Sequence, residues 1–304
     1  MLELIKRKLS LKVSLILTLI TIPPMIVAAY LITSREGANQ EQLTLNTARI
    51  AAQSGAKMYG LTLEAGLDTG SFTIGDLFDS GYEEIKGFDF GDNPRFHTKY
   101  DFYTDRAVTA FQDTILESSP DFLFAVGFDN VGYLPTHNGK FELPLTGDRA
   151  KDLAGNRAKR KFTALIQKHA GHELEPSSVQ PYKRDTGEDA WDVSAPVFVK
   201  GRHFGSFHVA VAIDSLIAHK RQLLFQLATV FAFLATITVG FIFLMLRRSM
   251  KPLEHLAELA NEISIGEGLD KPIKPGTSDE IGQMAKSMNR LRASLQVAMN
   301  RLGE

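Results

Sequence analysis

The chain has 304 residues, 34 basic and 35 acidic side chains, and a formal net charge of −1. That length accommodates two or three modules, and a charge near zero lacks the basic excess of a nucleic-acid-binding protein. With no cysteine, the sequence excludes a disulfide framework, a thiolate metal site, a cysteine nucleophile and covalent haem attachment.

Residues 1–12 are basic, with Lys6, Arg7, Lys8 and Lys12. A charge-free apolar run follows, VSLILTLITIPPMIVAAYLI, at 13–32. At 1.5 Å per residue such a run spans a hydrocarbon core of about 30 Å. It is too long for the apolar part of a cleaved signal, and no small-residue cleavage pair follows it. Pro23 and Pro24 inside it are tolerated in a membrane helix. We therefore predict a first membrane span at 13–33. A second charge-free run, LLFQLATVFAFLATITVGFIFLML at 223–246, predicts a second span at 222–246. Arg247, Arg248 and Lys251 follow it, so basic flanks place both termini in the cytoplasm and 34–221 outside the inner (plasma) membrane. Lys220 and Arg221 weaken this asymmetry without reversing it. Few polar residues interrupt the spans, which describes a receptor better than a channel or transporter.

Within the outer segment, 34–66 has few turn signals and spaced apolar residues at Leu43, Leu45, Ala48, Ile50 and Ala52, predicting a long helix continuing from the span. Residues 70–93 are rich in Gly and Asp and read as loop. YTDRAVTAFQDTILESSP reads as one helix closed by Pro120. FLFAVGFD and GYLPTHN flank DNVG, predicting a hairpin in which Asn130 and Gly132 take unusual backbone angles. NRAKRKFTALIQKHAG reads as one helix ending at Gly171. Further strands follow, with turns at RDTGED and VKGRHFG and alternation in GSFHVAVAID. The predicted class is α+β: an antiparallel sheet with a long N-terminal helix and helices on one side.

Arg157, Arg160 and Arg184 are the residues suited to an anionic ligand, because a guanidinium fork matches a carboxylate in two parallel hydrogen bonds. Arg157 and Arg160 are three apart, which puts them on one face of the predicted helix, partly exposed. Tyr133, His137, Tyr182 and Asp192 carry polar tips on predicted strands, where a pocket over a sheet collects polar groups. Asp185 reads as a turn residue rather than a contact. His169 and His172 are expected to be solvated near a helix C-terminus, with no metal. His203 and His208, five apart, are expected on opposite faces of a strand. No cofactor is implied. The sequence contains no nucleophile elbow, phosphate loop or metal-hydrolase helix, so a non-enzymatic role is expected.

After the second span, Leu253, Leu256, Ala260 and Ile263 step by 3, 4 and 3. Ile281, Met284, Met288, Leu291, Leu295, Ala298 and Leu302 alternate 3 and 4, forming an apolar seam that needs partner helices. Pro252 reads as the start of the first helix, the Gly/Pro-rich GEGLDKPIKPGTSDE as a connector, and Ser278 as the cap of the second helix, with Asp279 and Glu280 in its first turn. Two such helices per chain form a four-helix bundle only as a dimer. The residues expected to carry the relay are Pro252, Leu256, Glu280, Ile281, Met288 and Leu291.

Pro252, the first seam, the turn at Gly266, the run Asp279-Glu280-Ile281-Gly282 and Asn289 resemble a HAMP domain, placed here at 247–300. That resemblance implies a dimeric, parallel four-helix relay of the kind used in receptors, histidine kinases and cyclases. The outer stretch from about 97 to 214 resembles a PAS-like sensor of the single-Cache type, through GYLPTHN, LTGD, NRAKR, YKRDTGE and VKGRHFGSFHVA. This second resemblance implies a small-molecule pocket over the sheet and dimer contact through the long N-terminal helix. Together they imply a bacterial transmembrane receptor of the chemotaxis-receptor or sensor-kinase type. It would be a homodimer that senses a small outer ligand and relays it through the HAMP domain. No kinase boxes, cyclase or methylated hairpin are present in the 304 residues, so the expected output is a cytoplasmic signalling protein acting in trans. The competing readings are a redox or haem-linked sensor on the same architecture, a sensory subunit of a truncated chemoreceptor or histidine kinase, and a membrane-anchored hydrolase.

Overall fold

In the computed structural model, helix α1 runs through Leu9–Asp68. Residues 9–79, 81–87, 90, 93–276 and 278–302 are described. The chain divides into two units, Ile32–Leu223 and a second made of Met1–Leu31 with Leu224–Glu304.

The outer unit is built on one sheet. After α1 come a short helix α2 (Ile74–Phe78) and the pair β1 (Glu83–Glu84) and β2 (Phe96–His97). Thr73 and Asp76 close a reciprocal capping box at the start of α2, so the predicted loop at 70–93 holds more order than its composition implied. The helix expected before Pro120 is two helices, α3 (Asp101–Ala107) and α4 (Thr109–Glu117), separated at Val108. The sheet then forms from β3 (Phe122–Asp129), β6 (Ser178–Lys183), β7 (Asp189–Val199) and β8 (Arg202–Ala212), in the antiparallel order β3-β8-β7-β6. Lys200 and Gly201, at φ 47° and 75°, link β7 to β8. Positive φ at both turn residues matches the twist of a two-residue hairpin.

Two sequence expectations fail here for one reason. The hairpin predicted around DNVG does not form, although Gly132 does take a positive φ of 84°. β3 pairs with β8, while β4 (Tyr133–Leu134) pairs with β5 (Arg160–Lys161). The helix predicted over 156–171 is likewise split. Helix α5 (Arg149–Gly155) ends before Asn156, the chain passes through β5, and α6 is only Thr163–Lys168. Strand pairing across long sequence distances overrides local helical pattern.

The sheet separates two cores. Ala48, Ala52, Ala56, Tyr59 and Leu63 of α1 recur every three or four residues and pack with Val193, Val197, Phe207, Val209 and Val211. Phe124, Val126, Phe128, Leu134, Leu165 and Ala210 form a separate core. Leu165 belongs to α6, so helices do not lie on one side of the sheet only. α1 approaches the sheet through its glycines. A Cβ at Gly60 would lie 2.4 Å from the Phe198 carbonyl oxygen, and one at Gly55 would lie 2.3 Å from the Phe207 ring.

In the second unit, α1 and α7 (Ile213–Ser264) each carry a stretch long and apolar enough to cross a membrane, and neither stretch is buried in the protein. Pro252 lies inside α7 rather than at a helix start. α8 covers Glu280–Leu302. Its first free N–H groups are met by Asp279 Oδ1, which accepts from Ile281 at 3.1 Å and Gly282 at 3.2 Å. Asp279, not Ser278, is therefore the cap, and its charge adds to the favourable interaction with the helix dipole.

Gly60→Ala should test the helix–sheet approach. Alanine is the better helix former by about 1 kcal/mol, but a clash with a backbone carbonyl cannot relax cheaply, and overpacking costs about 1–3 kcal/mol. Thermal unfolding followed by circular dichroism should give a lower melting temperature for Gly60→Ala. A higher one would mean that α1 does not sit this close to β7.

Candidate functional site

The three predicted arginines converge, although not by the route expected. Arg157 and Arg160 do not share a helix face. They flank a sharp bend in which Lys159 takes φ 65°. The bend is held by backbone bonds from Arg157 N to Phe141 O and from Lys159 N to Leu134 O, both 2.7 Å. Arg184 arrives from the turn between β6 and β7. All three side chains are buried, not partly exposed.

The acids beside them are fewer than the guanidinium groups. Arg157 Nη2 donates to Asp185 Oδ1 at 2.5 Å, and Arg160 Nη1 lies 3.8 Å from Asp185 Oδ2. Arg184 pairs with Glu188. Asp185 is thus an ion partner of two arginines as well as a turn residue. Among the described residues, Arg157 Nη1, Arg160 Nη1, and Arg184 Nε and Nη2 are buried without a hydrogen-bond partner. A buried donor left in this state costs about 1–3 kcal/mol, and more when charged. Burial, together with the neighbouring Arg157 and Arg95, lowers the Arg160 pKa to about 10.

Around the arginines the walls are aromatic. The Arg184 guanidinium lies 5.3 Å from the Phe141 ring and 5.8 Å from Phe124, and that of Arg157 lies 5.6 Å from Phe162. His137 packs edge-on against Phe141, with ring centres 4.7 Å apart. Phe124, Phe128, Phe162, His137, Arg157 and Tyr182 enclose a cavity of about 10 Å³, room for no more than one water.

Burial, then the charges of Arg157, Arg184 and Arg160, pushes the His137 pKa well down. The ring is therefore neutral. Its Nδ1 lies 2.7 Å from the Asn138 N–H and accepts from it, which leaves the ring proton on Nε2. Burial raises the Tyr182 hydroxyl to about 12 and the Glu142 carboxyl to about 7, although Glu142 accepts the His137 backbone N–H at 2.5 Å.

Two predicted residues lie apart from this group. The Tyr133 hydroxyl is 2.8 Å from both the Phe96 carbonyl and Asp101 Oδ2, and its ring packs in the α1-side core. Asp192 sits between two histidines. His169 Nε2 is 2.7 Å and His208 Nδ1 2.6 Å from Asp192 Oδ2. His169, expected to be solvated, is therefore buried, whereas His172 is exposed beside Glu175. Burial would raise the Asp192 pKa, but the His208 charge and the hydrogen bonds of both histidines outweigh it and hold the carboxyl low. His203 and His208 were expected on opposite faces. A register shift between Val197 and Phe198 changes the strand's phase. His203 lines the same cavity as Ser206, the neighbour of His208.

Phe124, Phe141 and Glu142 are site residues that local reading missed. Each arrives through tertiary pairing. The one available signal was in RDTGE, where acids directly flank a predicted ligand arginine.

In the tail, Leu256 and Ile263 of α7, Ile273 of the connector and Ala285 of α8 are buried together, with Leu259, Ile281, Met288 and Leu295 against them. Asn289 Oδ1 accepts from Ile273 N at 3.2 Å and Arg292 Nε at 3.0 Å, and Arg292 also donates to the Leu269 carbonyl. The connector is thereby tied to α8. Met284 and Leu291, of the same predicted seam, remain 50% and 59% exposed. Pro252 and Glu280 lie at the margin of this packing, half-buried and exposed respectively.

Residues 244–297 match the family described as HAMP domain. The chain carries a HAMP domain, and with it two helices suited to span a membrane. It is a membrane signal-transduction protein. No curated protein matches the chain. Among solved structures, it is similar to an extracellular ligand binding receptor from Desulfohalobium retbaense, with 14% identity and a TM-score of 0.35 over 62% of this chain and 26% of that one. It is also similar to the DcuS sensor domain of E. coli, with 13% identity and a TM-score of 0.26 over 38% of this chain and 72% of that domain.

Glu142 yields a pH test. Its folded pKa of about 7 lies above the ordinary 4.5, so the folded protein holds a proton that the unfolded chain has released. That contribution to stability is present at low pH and is lost as pH rises from about 4.5 through about 7. Melting temperatures of wild type and Glu142→Gln, measured across this window, should diverge, wild type falling relative to the variant as pH rises. Parallel curves would place Glu142 in water.

Proposed function

We propose that the outer unit binds a small carboxylate-bearing molecule among Arg157, Arg184 and His137, and that binding is relayed through the HAMP domain. The observation that carries this reading is the set of buried guanidinium nitrogens without hydrogen-bond partners, where only Asp185 and Glu188 pair with three guanidinium groups. An anionic ligand would satisfy those donors, and two-pronged contact from arginine supplies strong, oriented binding. The neutral His137 would add a donor, and Phe124, Phe141 and Phe162 would hold an apolar body.

The cavity is closed at about 10 Å³, so a ligand must displace a wall. The 3₁₀ turn at Gly139–Phe141 sets Phe141 against the Arg184 guanidinium and the His137 ring, and its displacement would widen the cavity. Opening it is the conformational step to which binding energy would couple. The role proposed is binding, not catalysis, with the outer unit in the periplasm or extracellular space and both termini in the cytoplasm. The exposed row Met284 and Leu291 supports a homodimer in which two HAMP helix pairs complete one bundle. A cytoplasmic signalling protein in trans belongs to the same proposal.

Calorimetry on the full chain in detergent, against a panel of small mono- and dicarboxylic acids, tests the site. Arg157→Ala and Arg184→Ala should each weaken the best acid by about 1.5–3 kcal/mol. Unchanged affinity in both would remove the arginines from the site. For the bundle, Ala298→Cys in membranes should crosslink across chains, and Leu291→Asp should suppress it by burying a charge in the seam. An uncrosslinked Ala298→Cys protein would rule out the dimer.

A further inference from the structure

The His169–Asp192–His208 group is not used by the anion site. Both imidazoles converge on one oxygen, Asp192 Oδ2, at 2.7 and 2.6 Å. The other nitrogen of each ring meets a serine: Ser194 Oγ is 2.9 Å from His169 Nδ1, and Ser206 Oγ is 2.7 Å from His208 Nε2. All three ionisable residues are buried. Among the described residues the only ion partners of Asp192 are these two histidines, and its Oδ1 has no hydrogen-bond partner. A fully buried carboxylate with no fixed cation is costly.

We propose that His169, Asp192 and His208 form a site for a divalent transition-metal ion. Two imidazole nitrogens and one carboxylate oxygen suit zinc and its neighbours; calcium and magnesium prefer oxygen alone, and copper(I) prefers sulfur. The ligand atoms lie within 4.8 Å of one another. Bonds of about 2.0–2.1 Å to a tetrahedral ion put ligand atoms roughly 3.3 Å apart, so the two N···O contacts open by roughly 0.6 Å when the ion enters.

The protons balance. Without metal, each ring places an N–H on Asp192 Oδ2 and its other nitrogen beside a serine hydroxyl, from which a neutral ring accepts. With metal, the lone pairs of His169 Nε2 and His208 Nδ1 face the ion. Each ring proton relocates to the nitrogen beside the serine, and each hydroxyl rotates to accept it. A neutral ring releases no proton in this exchange, a protonated ring releases one, and no ring nitrogen loses its partner. Serine serves both states because a hydroxyl both donates and accepts. Such outer partners fix ring orientation at metal sites. The way in is a cavity of about 420 Å³, lined by His169, Ser194 and Ser206 and also by His203, whose Nε2 is buried without a partner.

The test is zinc titration of the full chain in detergent after chelator treatment, read by calorimetry, with cobalt(II) as the spectroscopic probe. One ion should bind per chain. His169→Gln and His208→Gln should each weaken zinc about 100-fold or more, and Ser206→Ala about tenfold. His172→Gln, an exposed histidine paired with Glu175, should bind as wild type does. Cobalt bound to the native chain should show the visible bands of a tetrahedral site with nitrogen ligands, a reading that needs no variant to fold. The proposal is overturned if the native chain takes up no stoichiometric zinc, if cobalt lacks those bands, or if zinc binding survives both His169→Gln and His208→Gln. Because this site takes a cation and the arginine site an anion, the two proposals fail independently.

Discussion

The pairing of β7 with β8 is the constraint from which the outer unit follows. Along this ladder Val193 faces Val209 and Ala195 faces Phe207, while Asp192 and Ser194 pair with Ala210 and His208. Alternation sends the first set into the core against α1 and leaves Asp192, Ser194 and His208 on the other face. The same two strands thus build a dry contact for a long helix and a floor of polar groups. The shift between Val197 and Phe198 then re-aims His203 without disturbing the apolar side.

Burying that much charge is stable only where partners arrive from elsewhere. Around the arginines they arrive incompletely. Asp185 serves two guanidinium groups and Glu188 one, and aromatic faces supply the rest of the surroundings. Partial satisfaction is costly in a structural core, but it suits a site whose last partner is a ligand. The His–Asp–His group is different in kind. Its hydrogen bonds are nearly complete, and within the group only Asp192 Oδ1 is left without a partner.

The tail divides its apolar surface in two. Leu256, Ile263, Ile273 and Ala285 satisfy one another within the chain, so the helix pair has a defined register through Asn289 and the connector. Met284 and Leu291 stay outside that core. A helix pair that is ordered but still apolar on one side can exchange packing partners at low cost, which is what a relay between two arrangements requires.

The sequence by itself determined what depends on local pattern. Charge-free runs of sufficient length specify the two spans, and the 3–4 spacing specifies the tail helices. Alternation specifies β8, and scarce turn signals with spaced apolar residues specify α1 as a helix but not its buried face, since Ala48 and Ala52 are buried while Leu43 and Ile50 are exposed. Arg157, Arg160 and Arg184 were legible as residue types suited to an anion, and His137 and Tyr182 as polar tips of a pocket over the sheet. Their meeting was not, because it depends on the β4–β5 pairing and on a bend at Lys159 that a helical pattern conceals. Tyr133 and Asp192 looked alike as polar tips on strands. The tertiary structure sent one to Asp101 and the other between two histidines separated from it by 16 and 23 positions. The side of a sheet on which a residue lands depends on register and bulges, and those are decided between strands, where no single stretch of sequence carries the information.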